Sequence, residues 1–347
     1  MTDTAGRRDI LALPKAHLHL HFTGSMRIDT VRDLADKHGM RLPNALTHDY
    51  PPKLSGADER GWFRFQRLYD AARACVRDEQ DMRRVVREAA QDDAAEGSRW
   101  LEIQVDPTSY AGFVGGITPM LEIVIDEAKS AGRDLGIGVG VLVAASRIKH
   151  PYDARTLARL AVKHSGDVLA FGLSNDERRG LTADFAPAFR IAHAGGLASV
   201  PHAGELLGAQ AVSDTIDALG PHRLGHGVRS AESAPVLERV IENDIALEIC
   251  PGSNVALGVY SRPQDVPLRQ LFDAGATIAL GADDPLLFDS RLAAQYDTAR
   301  TVHGFTDEEL AELARRSVRA SLAPDDVKRA LFADIDAWLD TPVRPAG

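Results

Sequence analysis

Three histidines, His17, His19 and His21, occupy alternate positions of the stretch from Lys15 to Gly24. In an extended strand, alternate side chains point to one face, so the three imidazoles lie together and the leucines between them lie on the other face. Neutral imidazole is a good zinc ligand, and two histidines spaced in this way can reach one ion. A polar surface strand has the same pattern, so the metal-site interpretation depends on further ligands elsewhere in the chain.

Polar side chains of suitable types follow several later strands of the predicted fold. They are His202 and Glu205 in Pro-His-Ala-Gly-Glu, His226 in Gly-His-Gly, Ser253 and Asn254 in Cys-Pro-Gly-Ser-Asn, and Asp283 and Asp284 in Asp-Asp-Pro. Each also has an ordinary interpretation as a buried histidine, a helix cap or an ordered turn. Three histidines and one aspartate together supply the nitrogen and oxygen ligands that suit zinc. One glutamate, one histidine and one aspartate of this set then remain as candidates for proton transfer.

A regular alternation of strands and helices positions these side chains. Besides the histidine stretch, strands are predicted at residues 100–105, 136–143, 168–173, 197–200, 223–225, 245–249 and 277–280. Helices are predicted at residues 29–38, 79–96, 119–131, 153–164, 184–194, 209–219, 233–243, 267–273, 290–302, 307–320 and 325–339. Strict alternation implies parallel strands that are joined by helical crossovers.

Eight such units predict an α/β fold, as a (β/α)8 TIM-type barrel with extra helices after strand 1 and at the C-terminus. In such a barrel the catalytic groups stand at the carboxyl ends of the strands, where the histidines and carboxylates above fall. An open doubly wound sheet is the alternative, but no Gly-x-Gly-x-x-Gly follows the first strand. We expect a single domain over residues 1–347, with a core at about 13–340.

The segment at about residues 39–75 does not follow the alternation of strands and helices. A proline-rich loop leads into a short helical segment that is crowded with aromatic residues, among them Trp62, Phe63, Phe65 and Tyr69. Aromatic residues at this density are usually part of a core. After such a loop they also suit a helical lid insertion over a pocket, which is the interpretation adopted here.

Composition limits the class of protein. The net charge of −10 argues against a nucleic acid or an anionic membrane as the main partner. No apolar run approaches the length of a membrane span, and the first ten residues are too polar for a signal peptide. Cys75 and Cys250 cannot form a disulfide framework and fit a reducing compartment. We therefore expect a cytoplasmic protein.

The motifs His-Leu-His-x-x-Gly, His-Ala-Gly-Glu, Gly-His-Gly, Cys-Pro-x-Ser-Asn and Asp-Asp-Pro, in this order, resemble the adenosine deaminase family of the amidohydrolase superfamily. The resemblance runs from about Leu13 to about Asp340. It implies a barrel with one Zn²⁺ per chain that hydrolyses the 6-amino group of an adenine nucleoside or base and releases ammonia. The expected partner is a small-molecule purine nucleoside, and the oligomeric state stays open.

The resemblance also implies a metal-ligand set. Its ligands fall on His19, His21, His202 and Asp283. His17 occupies a position where the family usually has an acidic residue, so it is not expected to be a ligand. Zinc brings the pKa of bound water down toward ~7, which makes hydroxide available at neutral pH.

Catalytic roles follow from the same resemblance. Glu205 would share a proton with ring N1, and it must be protonated when the substrate binds because C6 is otherwise a poor electrophile. His226 would orient and stabilise the attacking hydroxide, and Asp283 or His226 would pass its proton toward the leaving amine. Asp284 would hydrogen-bond N7, and His21 is expected to lie against the substrate.

Two positions depart from the family pattern. Thr23 stands where an acid commonly meets the ribose 5′-hydroxyl, and Asn175 stands where the backbone N–H of a glycine meets ring N3. Asparagine tolerates unusual backbone dihedrals, so that contact can survive. The smaller Thr23 leaves room for a substrate that is extended beyond the 5′ position.

These departures leave the substrate open. Adenosine or a close derivative is the leading hypothesis, and adenine and AMP are also family substrates. The extended alternative is 6-aminodeoxyfutalosine of menaquinone synthesis, whose benzoate can pair with Arg60, Arg64 or Arg67, although these arginines also fit ordinary solvated helix charges. The non-enzyme alternative is a metal- or nucleoside-binding barrel.

Overall fold

In the computed structural model, which describes residues 7–54 and 58–342, eight parallel strands form one sheet in the order of the sequence. The strands are β1 (Lys15–His21), β2 (Ser98–Val105), β3 (Gly138–Ser146), β4 (Val168–Ser174), β5 (Ala198–Ala203), β6 (Arg223–His226), β7 (Ala246–Ile249) and β8 (Ile278–Leu280). Just after β8, Asp283 pairs with Leu20 of β1 in a parallel bridge, which brings the last strand back to the first. The predicted (β/α)8 TIM-type barrel is confirmed.

Helices surround the sheet and connect its strands. They are α1 (Ile28–Lys37), α2 (Glu59–Arg73), α3 (Glu79–Ala95), α4 (Ala111–Val114), α5 (Ile117–Leu135), α6 (Pro151–Lys163), α7 (Ala186–Ala194), α8 (Ala209–Leu219), α9 (Ala234–Glu242), α10 (Pro251–Ala256), α11 (Leu268–Asp273), α12 (Pro285–Phe288), α13 (Leu292–Thr301), α14 (Asp307–Ala320) and α15 (Asp325–Asp340). The extra helices α1–α3 lie between β1 and β2, and α12–α15 follow β8, as predicted. No described helix has the length and apolar character needed to cross a membrane.

The strands are buried on both faces because helices cover the outside and side chains fill the inside. In β3, Val141, Leu142 and Val143 are all buried, although their side chains alternate between the two faces. Helix α5 packs one apolar stripe inward, and its Leu121 and Val124 are fully buried. This covered sheet leaves the carboxyl ends of the strands as the place for polar side chains.

Two strands run three residues beyond their predicted ends. β3 ends at Ser146 rather than at residue 143, and β5 ends at Ala203 rather than at residue 200. The predicted ends stopped at the last bulky apolar residue of each strand, Val143 and Val200. In the structure Pro201 stays in register with β4, and His202 pairs with Gly225 of β6, so His202 belongs to the strand itself.

Candidate active site

Four side chains from β1, β5 and the loop after β8 converge on one point inside the barrel mouth. His21 Nε2 lies 3.2 Å from His202 Nε2 and 3.2 Å from Asp283 Oδ1. His19 Nε2 lies 3.6 Å from the same Asp283 oxygen. The structure therefore brings together the four residues that sequence analysis grouped as metal ligands, which we call the donor cluster.

Glycine at two positions makes room for this arrangement. A Cβ atom on Gly225 would lie 2.7 Å from His202 Nδ1 and 3.1 Å from His19 Cε1, so a side chain there would displace both rings. A Cβ atom on Gly24 would overlap the carboxylate of Asp284. These glycines explain why the Gly-His-Gly and His-x-x-Gly motifs include glycine where they do.

The donor cluster fits a divalent metal ion such as zinc. His19 Nδ1 hydrogen-bonds Glu248 Oε2 over 2.7 Å, so its Nε2 is free to bind, and this buried Nε2 has no hydrogen-bond partner among the described residues. Burial alone would lower the pKa of His19, but Asp283 and Glu248 outweigh it and raise that pKa to about 10. The carboxylates thus favour a positive charge at this point, which a cation supplies, and three imidazoles with one carboxylate are a typical zinc donor set.

A buried ion network supports His19 from inside the barrel. Glu248 Oε1 accepts a hydrogen bond from Arg223 Nε over 2.7 Å, and Arg223 also donates to Glu102. All three side chains are almost completely buried. Burial alone would raise the pKa of Glu248, but Arg223 and His19 lower it, so Glu248 stays ionised and holds the proton of His19 on Nδ1.

The sequence did not predict this network. Its signal in the sequence is a carboxylate flanked by apolar residues within a strand, as with Glu102 in β2 and Glu248 in β7. Fully buried charges of this kind are rare unless they are paired. Such a residue therefore predicts a charged partner inside the barrel, although not which one.

His17 lies outside the donor cluster. Its Nδ1 is 2.9 Å from Asp93 Oδ1 of α3, and its Nε2 accepts a hydrogen bond from the backbone N–H of Ala282 over 3.0 Å. Both ring nitrogens are therefore engaged in holding β1 to its neighbours. This geometry agrees with the expectation that His17 is not a ligand.

The side chains that were predicted to handle protons surround the donor cluster. His226 Nε2 lies 3.7 Å from Glu205 Oε2 and 3.8 Å from Asp283 Oδ2. Ser253, which was not assigned a role, donates a hydrogen bond to Asp283 Oδ2 over 2.6 Å. Asp284 Oδ1 is buried and has no hydrogen-bond partner among the described residues, so it is available to a ligand.

Burial sets the protonation states of these groups. It raises the pKa of Glu205 well above its usual range, and the negative charges of Asp283 and Glu177 raise it further. It raises the pKa of Asp284 in the same way, again with Asp283 adding to the effect. Burial also lowers the pKa of His226 to about 3. The raised pKa favours the protonated form of Glu205, which can donate a proton, and the lowered pKa keeps His226 neutral.

Three residues without the freedom of glycine adopt the left-handed backbone conformation at this site. The φ angles are 79° at Asn175, 62° at His226 and 62° at Asp283. Such conformations cost free energy and tend to occur where function requires them. Asn175 thus adopts a backbone conformation that favours glycine, as the sequence comparison with the family required.

One cavity connects most of the predicted site residues. Its wall includes the predicted residues His21, Asn175, His202, Glu205, His226, Asp283 and Asp284. Helix α2 contributes Trp62, Phe65, Gln66 and Tyr69 to this wall, and a lid function for it stays a prediction. His19 lies behind the wall, fully buried.

Thr23 lies in a neighbouring pocket rather than on this wall. Its hydroxyl hydrogen-bonds the hydroxyl of Tyr110, and its side chain is buried. That pocket also contains Arg73, whose guanidinium lies 4.9 Å from the ring centre of Tyr69. Thr23 is thus held by a tyrosine that sequence analysis did not identify.

A wider cavity of about 870 Å³ opens on the outer side of α2. It shares Trp62, Gln66 and Asn175 with the central cavity. Its charged lining residues are the basic Arg60, Arg64, Arg147 and Arg179 and the acidic Glu59 and Asp176, both of which pair with Arg179. Arg67 is exposed on the same helix and does not contribute to this lining. We call this space the mouth cavity.

The chain is similar to known deaminases over nearly its whole length. The family model described as adenosine deaminase matches residues 14–338. A protein of Streptomyces virginiae, provisionally named adenosine/adenine deaminase, is 63% identical over 333 residues, which cover 96% of this chain and 98% of that protein. An adenine deaminase of Rhizobium leguminosarum is 31% identical over 330 residues, covering 93% of this chain and 99% of that enzyme. The crystal structure of adenine deaminase from Arthrobacter aurescens matches with a TM-score of 0.88 at 26% identity, covering 94% and 99% of the two chains.

Proposed function

The chain belongs to the adenosine deaminase family of hydrolytic deaminases, which act on adenine-type substrates, and we propose that it is a zinc enzyme for adenosine or a closely related adenine nucleoside. The reaction replaces the 6-amino group with oxygen and releases ammonia. The observation that carries this proposal is the position of buried Glu205, whose pKa is raised by that burial, beside the donor cluster in one cavity. A metal-binding barrel without activity would have no need of such a proton donor.

The metal would be held by His19, His21, His202 and Asp283. When bound there, zinc supplies a Lewis acid that lowers the pKa of a water molecule toward neutrality. Glu248 keeps His19 in the tautomer whose Nε2 faces the other donors. Ser253 fixes the carboxylate of Asp283 by donating to the oxygen that is not shared with His21.

Proton transfer would begin at Glu205. Its carboxyl group donates a proton to ring N1, which makes C6 electrophilic enough for water to add. The proton that the attacking water loses passes to His226 or Asp283 and then to the amine, which leaves as ammonia. The remaining hydroxyl proton returns to Glu205 as the C6–O bond becomes a carbonyl, so that the enzyme is restored.

The purine ring would be oriented by groups on the opposite wall. Burial and the charge of Asp283 raise the pKa of Asp284, which favours the protonated form that can donate to N7. The backbone N–H of Asn175 is held by its left-handed conformation near the N3 edge. Trp62 and Phe65 of α2 would exclude water from the ring once it is bound.

Two observations favour other substrates of the same reaction. The mouth cavity shares Asn175 with the central one and is lined by Arg60 and Arg64 of α2, which favours a nucleoside with an anionic extension such as 6-aminodeoxyfutalosine. The Rhizobium relative is named an adenine deaminase, which favours free adenine.

A substrate panel tests the proposal. Zinc-loaded enzyme is given adenosine, 2′-deoxyadenosine, adenine, AMP and 6-aminodeoxyfutalosine, and ammonia release is measured. We expect the highest kcat/KM for adenosine or a close derivative. A much higher value for adenine or for the extended nucleoside would move the assignment to that substrate. No ammonia from any of them would overturn the deaminase mechanism.

A further inference from the structure

A single carboxylate organises the loop that carries Glu205. Glu177, which follows β4, is buried, and its Oε1 accepts a hydrogen bond from Gly204 N over 2.7 Å. Its Oε2 accepts from Glu205 N at 3.1 Å, Leu206 N at 2.8 Å and Leu207 N at 2.9 Å. A carboxylate has about four acceptor positions in total, so it can accept from four N–H groups, here three on Oε2 and one on Oε1. Hydrogen bonds to an ionised acceptor are also stronger than neutral ones.

The same turn is held from its other side. Arg229 donates to the carbonyl oxygen of Leu206 over 2.6 Å, and its own N–H donates to Gly204 O over 3.0 Å. Gly204 has a φ of 69°, and a Cβ atom there would lie 2.5 Å from Val212 Cγ2. The turn is therefore clamped between Glu177 and Arg229. Its backbone has little freedom to place the Glu205 side chain differently.

Glu177 does not lie on the wall of the central cavity, and its hydrogen bond to Glu205 goes to the backbone, while its charge adds to the raised pKa of the Glu205 carboxyl group. Arg147 extends the support toward the donor cluster, since it donates to the carbonyl oxygen of His202. The loop after β4 and the end of β5 thus form one rigid unit around the proton donor. Misplacing a catalytic group by about 1 Å can cost on the order of 100-fold in rate.

We propose that Glu177 is a positioning residue for deamination, which fixes the Glu205 carboxyl group against ring N1 by holding the backbone of residues 204–207. This inference rests on the proposed role of Glu205 as proton donor. Glu177 itself does not touch the substrate. Its contribution acts through Glu205 and disappears when Glu205 can no longer donate a proton.

A double-mutant cycle tests this dependence. Glu177→Gln keeps the side-chain shape but turns an N–H group toward the backbone donors, and we expect kcat to fall about 100-fold with KM within about threefold. In the Glu205→Gln background the same change should alter the residual kcat by less than about threefold. An equal loss in both backgrounds, or a kcat near that of the wild type, would overturn the inference. So would loss of bound metal in Glu177→Gln, because the residue would then support His202 rather than Glu205.

Glu127→Gln is the matched control. Glu127 is as buried as Glu177, at 5% exposure each, but it pairs with Arg83 and Arg87 on the outer helices. We expect this control to lose thermal stability and keep the wild-type kcat. A comparable loss of kcat in Glu127→Gln would show that burial of a carboxylate, rather than its position, explains the effect.

Hydrogen exchange of the wild-type protein covers the case in which Glu177→Gln does not fold. The N–H groups of residues 204–207 lie in a loop, yet the hydrogen bonds predict protection like that of β5. Rapid exchange there would overturn the inference without any variant. If the wild type releases no ammonia from any substrate, the proposed function fails instead. An active wild type with an unaffected Glu177→Gln variant removes only the inference about Glu177.

Discussion

The backbone N–H of Asp283 donates a hydrogen bond to the carbonyl oxygen of His19 over 3.0 Å. The carbonyl oxygen of Asp283 in turn accepts from the N–H of His21 over 3.1 Å. These two bonds join the end of β8 to β1, so the step that closes the barrel also brings the first-strand histidines to the Asp283 carboxylate. The donor cluster and the barrel closure are therefore one structural unit.

Removal of the metal should consequently destabilise the fold. A ligand that binds only the native state, at a free concentration of about 100 times its Kd, adds roughly 2.7 kcal/mol to the free energy of unfolding. This corresponds to about 5 °C in Tm for a chain of this size. We expect a decrease of this order when the zinc-loaded protein is stripped with a chelator, measured by thermal unfolding. Asp283→Ala should show little further decrease on chelation. Identical Tm values for the metal-free and the zinc-loaded wild type would show that metal binding does not stabilise the closed barrel.

His19 and His17 provide a matched pair for the metal site. Both are buried on β1, but His19 Nε2 faces the donor cluster whereas both nitrogens of His17 are engaged by Asp93 and Ala282. We expect His19→Ala to lose bound metal and His17→Ala to keep it, as measured by elemental analysis of purified protein. Stoichiometric zinc in His19→Ala would mean that the wrong histidine was assigned, with His17 as the next candidate.

Glu248→Gln should weaken the metal site without touching a ligand. The amide cannot accept the His19 proton as strongly, and it leaves Arg223 with Glu102 as its remaining carboxylate partner. Changes of this kind typically cost 10- to 100-fold in metal affinity. Competition with a chelator measures this loss, and Glu127→Gln is the control for a buried carboxylate elsewhere. Unchanged affinity would show that the Glu248 network serves only barrel stability.

The sequence predicted the donor cluster but not the network behind it, for a physical reason. His202 and Asp283 were identifiable because each sits in a short motif with a strand end and a nearby glycine. Arg223 and Glu102 are 121 residues apart in the sequence. Their contact depends on which side chains of β2 and β6 point into the interior of the closed barrel. No local spacing encodes that contact.

Local sequence patterns also predicted the order of the helices and strands better than their ends. Alternation of apolar segments was sufficient to predict the barrel, because parallel strands need helical crossovers. The ends of β3 and β5 were wrong, since neighbouring strands hold residues such as Pro201 in register despite their local preference. The hydrogen bonds from the backbone of residues 204–207 to Glu177 were also not predicted, because backbone N–H groups are the same for every residue type except proline.

Glu205→Gln should keep the metal and lose turnover. The amide is nearly isosteric but cannot protonate ring N1, and loss of a general acid costs about 10²- to 10⁴-fold in kcat. Metal content by elemental analysis and ammonia release by a coupled assay check the two parts. A variant with near-normal activity would end the assignment of Glu205 as the proton donor.

The pH dependence of kcat/KM should reflect the titration of Glu205. Burial raises the pKa of Glu205, so the carboxyl group is protonated below that pKa and loses its proton as the pH rises through it. We expect kcat/KM of the wild type to fall on the alkaline side for this reason, and the residual activity of Glu205→Gln to lack that decrease. Parallel alkaline limbs in both enzymes would assign the titration to another group.

Arginines of α2 distinguish an anionic substrate extension from a plain nucleoside. Arg60 and Arg64 line the mouth cavity, whereas Arg67 on the same helix lies outside it. Because an exposed ion pair contributes up to about 1 kcal/mol, Arg60→Ala/Arg64→Ala should lower kcat/KM for 6-aminodeoxyfutalosine about tenfold and leave adenosine nearly unchanged. Arg67→Ala should affect neither substrate. Equal losses for both substrates, or a similar loss in Arg67→Ala, would mean that these arginines act on the helix rather than on the charge of the substrate.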